Sequence, residues 1–292
     1  MNFSTNSSPL MGKDGQQLQS RKIWDRLVKE SLQNVSIKVE TSTDNESYVV
    51  KGRGEFQLAI LIEMMRREGF ELCVSRPHVI FRVVNGEIHE PVENLLINCA
   101  EPYSGVVTEK LLKKKGLLTN MFKKNNGRVR LEFTVPSRAL IGYKDEFLTD
   151  TRGTGIINSS FTGYEKYRGD FSDRSSGSLV ADRYGKAVSY GLASLEARGK
   201  LFVRPGDDVY EGMIVGEYSR ESDLNVNPCK TKKLTNLRAA GKDDATILSP
   251  ILPMTLEKAI QFVKDDEMIE VTPKVIRLRK SILSAQKRKS SR

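Results

Sequence analysis

Nucleotide hydrolysis needs a loop of the form G-x-x-x-x-G-K-[S/T], whose amides and lysine hold phosphates and whose hydroxyl holds magnesium. This 292-residue sequence offers only Gly185-Lys186 for that role, and Ala187 follows where the hydroxyl is needed. No glycine stands five residues before Gly185, and no Asn-Lys-x-Asp segment is present to read a guanine. Asp182 and Gly185 have the spacing of a magnesium-loop motif, but as an isolated four-residue match of a kind that arises by chance. The pairs Asp207-Asp208 and Asp243-Asp244 sit among turn residues and read as surface charge. His78 and His89 stand apart, which leaves little room for acid–base chemistry on imidazole. Cys73, Cys99 and Cys229 contain no C-x-x-C pair, so buried free thiols are expected rather than disulfides or zinc. No catalytic residue and no metal site is expected.

What the sequence does offer is concentrated positive charge. Residues 110–130 and 274–292 each hold eight basic and no acidic side chains, and 220–242 holds six against two. Together they carry +20 in a chain of net +10, so the remainder stands at −10. Basic patches on an acidic body are the footprint of a polyanion binder. Candidate RNA contacts are Lys113, Lys114, Lys123, Lys124 and Arg128 in the first patch. Between 220 and 242 they are Arg220, Lys230, Lys232, Lys233, Arg238 and Lys242, with Asn236 able to bond a base edge or sugar. Acidic protein partners of a regulatory fragment are the alternative occupants of the same patches.

The elements that position these residues follow from periodicity. Residues 1–84 read as β-α-β-β-α-β: a helix entered at Ser20 with Ile23, Trp24, Leu27, Val28 and Leu32, strands at Val35–Val39 and Tyr48–Val50, a helix Glu55–Glu68 with Phe56, Ala59, Ile60 and Met64 on one face, and a closing strand Val79–Val84. The order repeats over 85–162, with a hairpin turning at Asn125-Asn126-Gly127 and a helix opened by Pro136-Ser137. The expected fold class is α+β: two consecutive ferredoxin-like sandwiches, then a mainly β C-terminal domain with a long basic loop. A Gly/Ser-rich linker is expected over 163–177, the third domain over 178–283, and a flexible basic tail over 284–292. Residues 220–244 show no periodicity and read as that loop. Met1 to Gly15 lack a secretory signal, and no apolar run approaches the roughly 20 residues that span a bilayer. A cytoplasmic, monomeric protein with no membrane partner is expected.

Several segments resemble one family. Gly52-Arg-Gly-Glu55, Ile60-Leu-Ile-Glu63, Met65-Arg-Arg-Glu-Gly69 and Val74-Ser-Arg-Pro77 are similar to domain III of the BipA/TypA translational GTPases. Glu90-Pro-Val-Glu-Asn94, Gly127-Arg-Val-Arg-Leu131, Val135-Pro-Ser-Arg138, Leu140-Ile-Gly142 and Gly153-Thr-Gly155 resemble that family's version of elongation factor G domain V. Gly185-Lys-Ala-Val188, Arg198-Gly-Lys-Leu-Phe202, Val209-Tyr-Glu-Gly212, Lys232-Lys-Leu-Thr-Asn236 and Glu270-Val-Thr-Pro273 resemble its distinctive C-terminal domain. The turn Lys123–Asn126 is more basic than the family's, and the chain beyond Ile282 diverges.

The resemblance implies a ribosome-dependent GTPase that assists large-subunit assembly and stress adaptation. Its G domain and following β-barrel have no counterpart in this sequence. GTP and magnesium are therefore expected only in that domain, and no cofactor is expected in this chain. The implied partners are the ribosome (50S subunit and 70S), rRNA and A-site tRNA, with Arg220–Lys242 matching the segment that meets the tRNA.

Overall fold

The computed structural model describes all residues except 44–45, 125, 172–173, 175, 232–247, 252 and 291–292. The chain divides into two compact units: Met1–Pro77 together with Arg174–Arg292, and His78–Asp173.

The larger unit opens with β1 (Asn2–Thr5), α1 (Ser20–Gln33), β2 (Lys38–Thr41), β3 (Ser47–Lys51), α2 (Glu55–Arg67) and β4 (Leu72–Ser75). Sheet order β2-β3-β1-β4 is the ferredoxin-like arrangement. Ile23 and Leu27 of α1 and Leu58, Leu61, Ile62 and Met65 of α2 cover one face of it. The α2 stripe 58-61-62-65 follows the helical repeat, whereas Phe56, Ile60 and Met64, the face expected from the sequence, are exposed together with Leu32 of α1. Ser20 does not cap α1; Gln19 occupies the cap position and the Ser20 hydroxyl lies 2.6 Å from the Tyr48 hydroxyl.

The smaller unit contains β5 (Arg82–Val84), β6 (Glu87–Ala100), α3 (Glu101–Lys113), β7 (Leu117–Lys123), β8 (Arg128–Pro136), α4 (Ser137–Leu140), α5 (Tyr143–Asp150) and β9 (Ile156–Lys166). Its sheet runs β7-β8-β6-β9, again ferredoxin-like. Leu95, Ile97 and Cys99 of β6 and Val129, Leu131 and Phe133 of β8 alternate onto the helix-covered face. Two boundaries need correction. Val79–Val84 does not close the first unit; β4 does. Arg82–Val84 instead folds back on Glu87–His89 through Asn85-Gly86, whose φ angles of 53° and 81° suit a tight hairpin turn. The expected linker 163–177 is also shorter, because β9 continues through Lys166 against β6 and a further strand begins at Gly177.

The chain then returns to the larger unit with β10 (Gly177–Ala181), β11 (Gly185–Lys186), α6 (Ser189–Glu196), β12 (Gly199–Leu201), β13 (Asp208–Val209), β14 (Met213–Tyr218), β15 (Leu224–Val226), α7 (Leu256–Phe262), β16 (Glu267–Val271), β17 (Ile276–Lys280) and α8 (Ala285–Ser290). The C-terminal segment, expected as a third domain over 178–283, shares one compact unit with Met1–Pro77. β16 pairs antiparallel with β4, from Met268 opposite Ser75 to Val271 opposite Leu72. The first sheet therefore continues through β16-β17-β14-β10-β15, with β12 on β14, to ten strands. Alternation along β10 and β14 separates two cores: Val180 and Ile214 join the cluster under α2 and α7, while Leu179, Ala181, Met213 and Val215 join a second with α6.

Polar side chains lock this joint. Buried Glu71 accepts from Asn6 Nδ2 (2.6 Å) and from the amides of Gly12 and Gly15. Buried Glu270 accepts from Asn6, Ser8, Arg277 and the Tyr210 hydroxyl at 2.7–3.0 Å. The loop after β1 is thereby fastened to both β4 and β16. Among the described residues no helix is long and apolar enough to cross a membrane.

Candidate nucleic-acid interface

The three basic segments behave differently once folded. In 110–130 the sequence holds no acid, yet carboxylates from elsewhere face five of its eight cations. Lys110 lies 2.8 Å from Glu146 and 2.7 Å from Asp150, and Lys114 lies 3.4 Å from Glu146 and over the Tyr143 ring. Burial alone would lower the Lys110 pKa, but hydrogen bonds to Asp150 and Glu146 outweigh it and raise the value. Glu146 is held below its ordinary value by the same lysines despite its own burial. Lys113 pairs with Glu109, Lys123 with Glu101 and Arg130 with Glu132. Arg128 is half-buried, donating to Asn98 Oδ1 and to the carbonyls of Asn98 and Thr154. Lys114 and Arg128 are therefore structural, Lys113 and Lys123 are exposed but paired, and Lys124 is exposed at the hairpin turn.

Residues 274–292 depart further from an exposed basic patch. Lys280 is 1% exposed and surrounded by Asp223 (2.7 Å), Asp266 (2.8 Å) and Glu267 (2.9 Å). Arg277 pairs with Asp14 and Glu270, and Arg279 is buried. Three of that segment's eight cations lie in or beside the fold's interior because β17 is a central strand, and the periodic Ile276 and Leu278 mark it as one.

In the third segment the two described cations, Arg220 and Lys230, are exposed. Part of the expected loop is strand: β15 runs parallel to β10, from Leu224 opposite Leu179 to Val226 opposite Ala181. Beyond it, Pro228 carbonyl accepts from the Val188 amide at 3.0 Å, and a Cβ on Gly191 would meet that carbonyl at 2.4 Å. The glycine is what lets the segment seat against α6. Lys230 lies at the edge of this seat. Lys232, Lys233, Asn236, Arg238 and Lys242 lie outside the described residues. After them, the Ser249 amide donates to Glu196 Oε1 at 2.6 Å, and Leu248 and Ile251 pack on the second core. Both roots of 232–247 are therefore fastened to α6, one at its start and one at its last residue.

The thiols of Cys73 and Cys99 are free and buried, Cys229 is free and half-buried, and burial pushes Cys73 up to about 11. Among the described residues no group of three or more His, Cys, Asp or Glu side chains is placed to hold a metal.

Two family models match the chain. Residues 87–175 match the elongation factor G C-terminus, and 176–285 match the TypA/BipA C-terminal domain. The chain is 49% identical over 290 residues to the large ribosomal subunit assembly factor BipA of Escherichia coli K12, covering 99% of this chain and 48% of that protein. It is 47% identical to the factor of the same name from Buchnera aphidicola, over 100% of this chain and 48% of the relative. Against that from Haemophilus influenzae the figures are 46%, 99% and 47%. The chain thus spans about half the length of the curated relatives it matches.

Proposed function

From the premise that this chain belongs to the TypA/BipA family and corresponds to its C-terminal portion, we propose that it is a ribosome- and RNA-contacting module. In this reading it acts in the cytoplasm on the large ribosomal subunit and its assembly, with rRNA and A-site tRNA as the nucleic acids met. The supporting observation is the seat of the basic segment. β15 is anchored on β10, the Pro228 carbonyl on the Val188 amide at the start of α6, and the Ser249 amide on Glu196 at its end, so both described flanks of the basic segment are fixed to the fold. Surface cations not neutralised in place are what a phosphate backbone recruits. The 110–130 patch contributes less, since most of its cations would have to leave carboxylate partners first.

Changing Lys230, Lys232, Lys233 and Arg238 together to Ala tests this. Roughly four phosphate contacts correspond to a slope of log affinity against log salt near −3, at about −0.7 per phosphate of a single strand. The quadruple variant is expected to bind ribosomes or tRNA more weakly and with a flatter slope, at an unchanged melting temperature. Unaltered affinity and slope in a filter-binding salt titration would remove the segment from the RNA contact.

The same reading assigns GTP turnover to a domain this sequence lacks. Calorimetric titration of the purified chain with GTP is expected to give no binding heat. Micromolar affinity would contradict it.

A further inference from the structure

The smaller unit carries a second cluster suited to RNA, assembled by strand register. Arg82 of β5 stands opposite His89 of β6, and His89 stands opposite Lys166 of β9, so the three lie in one row across the sheet. Beside the row, the Arg82 guanidinium lies 4.0 Å over the Tyr164 ring. Phe161 meets Tyr164 edge-on, with centroids 5.8 Å apart. Residues three apart on a regular strand face opposite sides. Here the register shift between Val92 and Glu93 leaves Thr162 as the extra residue and brings Phe161 to the Tyr164 side.

The groups are presented rather than consumed. Phe161 is 63% exposed. Arg82 is exposed and makes no hydrogen bond or ion pair among the described residues, so its N–H groups are free while the guanidinium rests over Tyr164. Lys166 is exposed and, among the described residues, pairs with Glu87 alone (2.7 Å), which leaves the row with an excess of positive charge. Exposed aromatic faces take nucleobases and flat guanidinium edges take phosphates or base acceptors. The opposite side of the β5–β6 hairpin exposes Val83 and Ile88, the surface a protein partner would use instead.

We propose that Phe161, Tyr164 and Arg82, flanked by Lys166, form a binding site for an unpaired RNA nucleotide, its base stacking on Phe161 and its phosphate meeting Arg82. The charge and the exposed ring favour RNA over an apolar peptide. The inference rests on the RNA-contacting reading above but names a site on the other unit.

The test uses the full chain, a fluorescein-labelled single-stranded RNA dodecamer of mixed sequence, and purified 50S subunits. Phe161→Leu keeps the apolar bulk without the ring, and is expected to weaken dodecamer binding about fivefold or more, the effect of losing one base stack. Arg82→Ala is expected to do the same, and Arg82→Lys, which restores charge without the planar fork, to recover little of it. Melting temperatures should not move, because both side chains are exposed. Variants that bind like the wild type, or a wild type that does not bind the dodecamer, would overturn the site. If 50S co-sedimentation persists in that case, the ribosome reading survives; if it too is absent in the wild type, both fall. Weakened 50S association in Val83→Asp with Ile88→Asp, alongside an unaffected Phe161→Leu, would assign the hairpin to a protein and also overturn the proposal.

Discussion

Lys280→Met is expected to destabilise the larger unit by about 3–5 kcal/mol, the usual effect of removing one member of a buried ion cluster. The lysine is 1% exposed, and its ammonium is held at 2.7–2.9 Å by Asp223, Asp266 and Glu267. Glu267 is itself buried, and also accepts from Ser178 and Arg174. Methionine fills the space but removes the cation shared by half-buried Asp223 and buried Glu267, leaving Glu267 its contacts with Arg174 and Ser178. The pH dependence should change with it. Burial alone would lower the Lys280 pKa, but its carboxylates outweigh this and raise it above the ordinary 10.5, so its contribution is complete at neutral pH and lost only in strong alkali. Burial alone would raise the Asp223 pKa, but Lys280 holds it below the ordinary 3.8. Its contribution is present above that value and lost as pH falls through the depressed one. The wild type should therefore lose stability in acid. In Lys280→Met, Asp223 loses the partner that depresses it while its burial remains, so its acid-side loss should shrink and stability should fall less as pH drops from neutral. Urea denaturation at several pH values reads both effects. A loss under about 1 kcal/mol with an unchanged acid limb would show the cluster to be solvated, as ordinary surface pairs are.

The second large effect comes from dividing the chain. A fragment of residues 174–292 is expected to show no cooperative thermal transition, whereas residues 78–173 should melt cooperatively alone. The larger unit's main core draws on both of its segments: Phe3, Leu72 and Val74 pack with Ile269, Val271 and Leu278, and Leu256 and Ile260 of α7 join them. Without 1–77, β16 loses the β4 partner along four residue pairs and becomes an open edge. Glu270 loses Asn6 and Ser8. The smaller unit instead encloses its own cluster, from Leu95 to Phe147. Circular dichroism melts of the two fragments separate these outcomes. A cooperative melt of 174–292 near the whole chain's would contradict the shared-sheet account.

Much of the fold was readable locally, because alternation in β6 and β8 and the turn at Gly127 are signals carried by neighbouring residues. The shared sheet was not. Leu72-Cys73-Val74 is a short apolar run buried on both faces, and such a run does not name its far partner. Helix α2 carries two apolar stripes, and only the packing of β1 and β4 decides that 58-61-62-65 turns inward. The Asn85-Gly86 pair did carry a hairpin signal, and it moves Val83-Val84 out of the first unit. For the site, counting charge along the sequence overstated 110–130 and 274–292, since their neutralising acids lie at 101, 109, 132, 146, 14, 223 and 267. Only register shows which cations are left facing outward. The row of Arg82, His89 and Lys166 is spread over 85 positions and has no sequence motif.

On the proposed reading, this chain contacts the large ribosomal subunit without help from a nucleotide-binding domain. Co-sedimentation of the purified 292-residue chain with 50S subunits tests it directly, at low and then rising salt. The chain is expected to pellet with the subunits at low salt, to be released as salt is raised, and to be displaced by elongation factor G. A chain that stays in the supernatant at low salt, while remaining folded by its melting curve, would contradict the account.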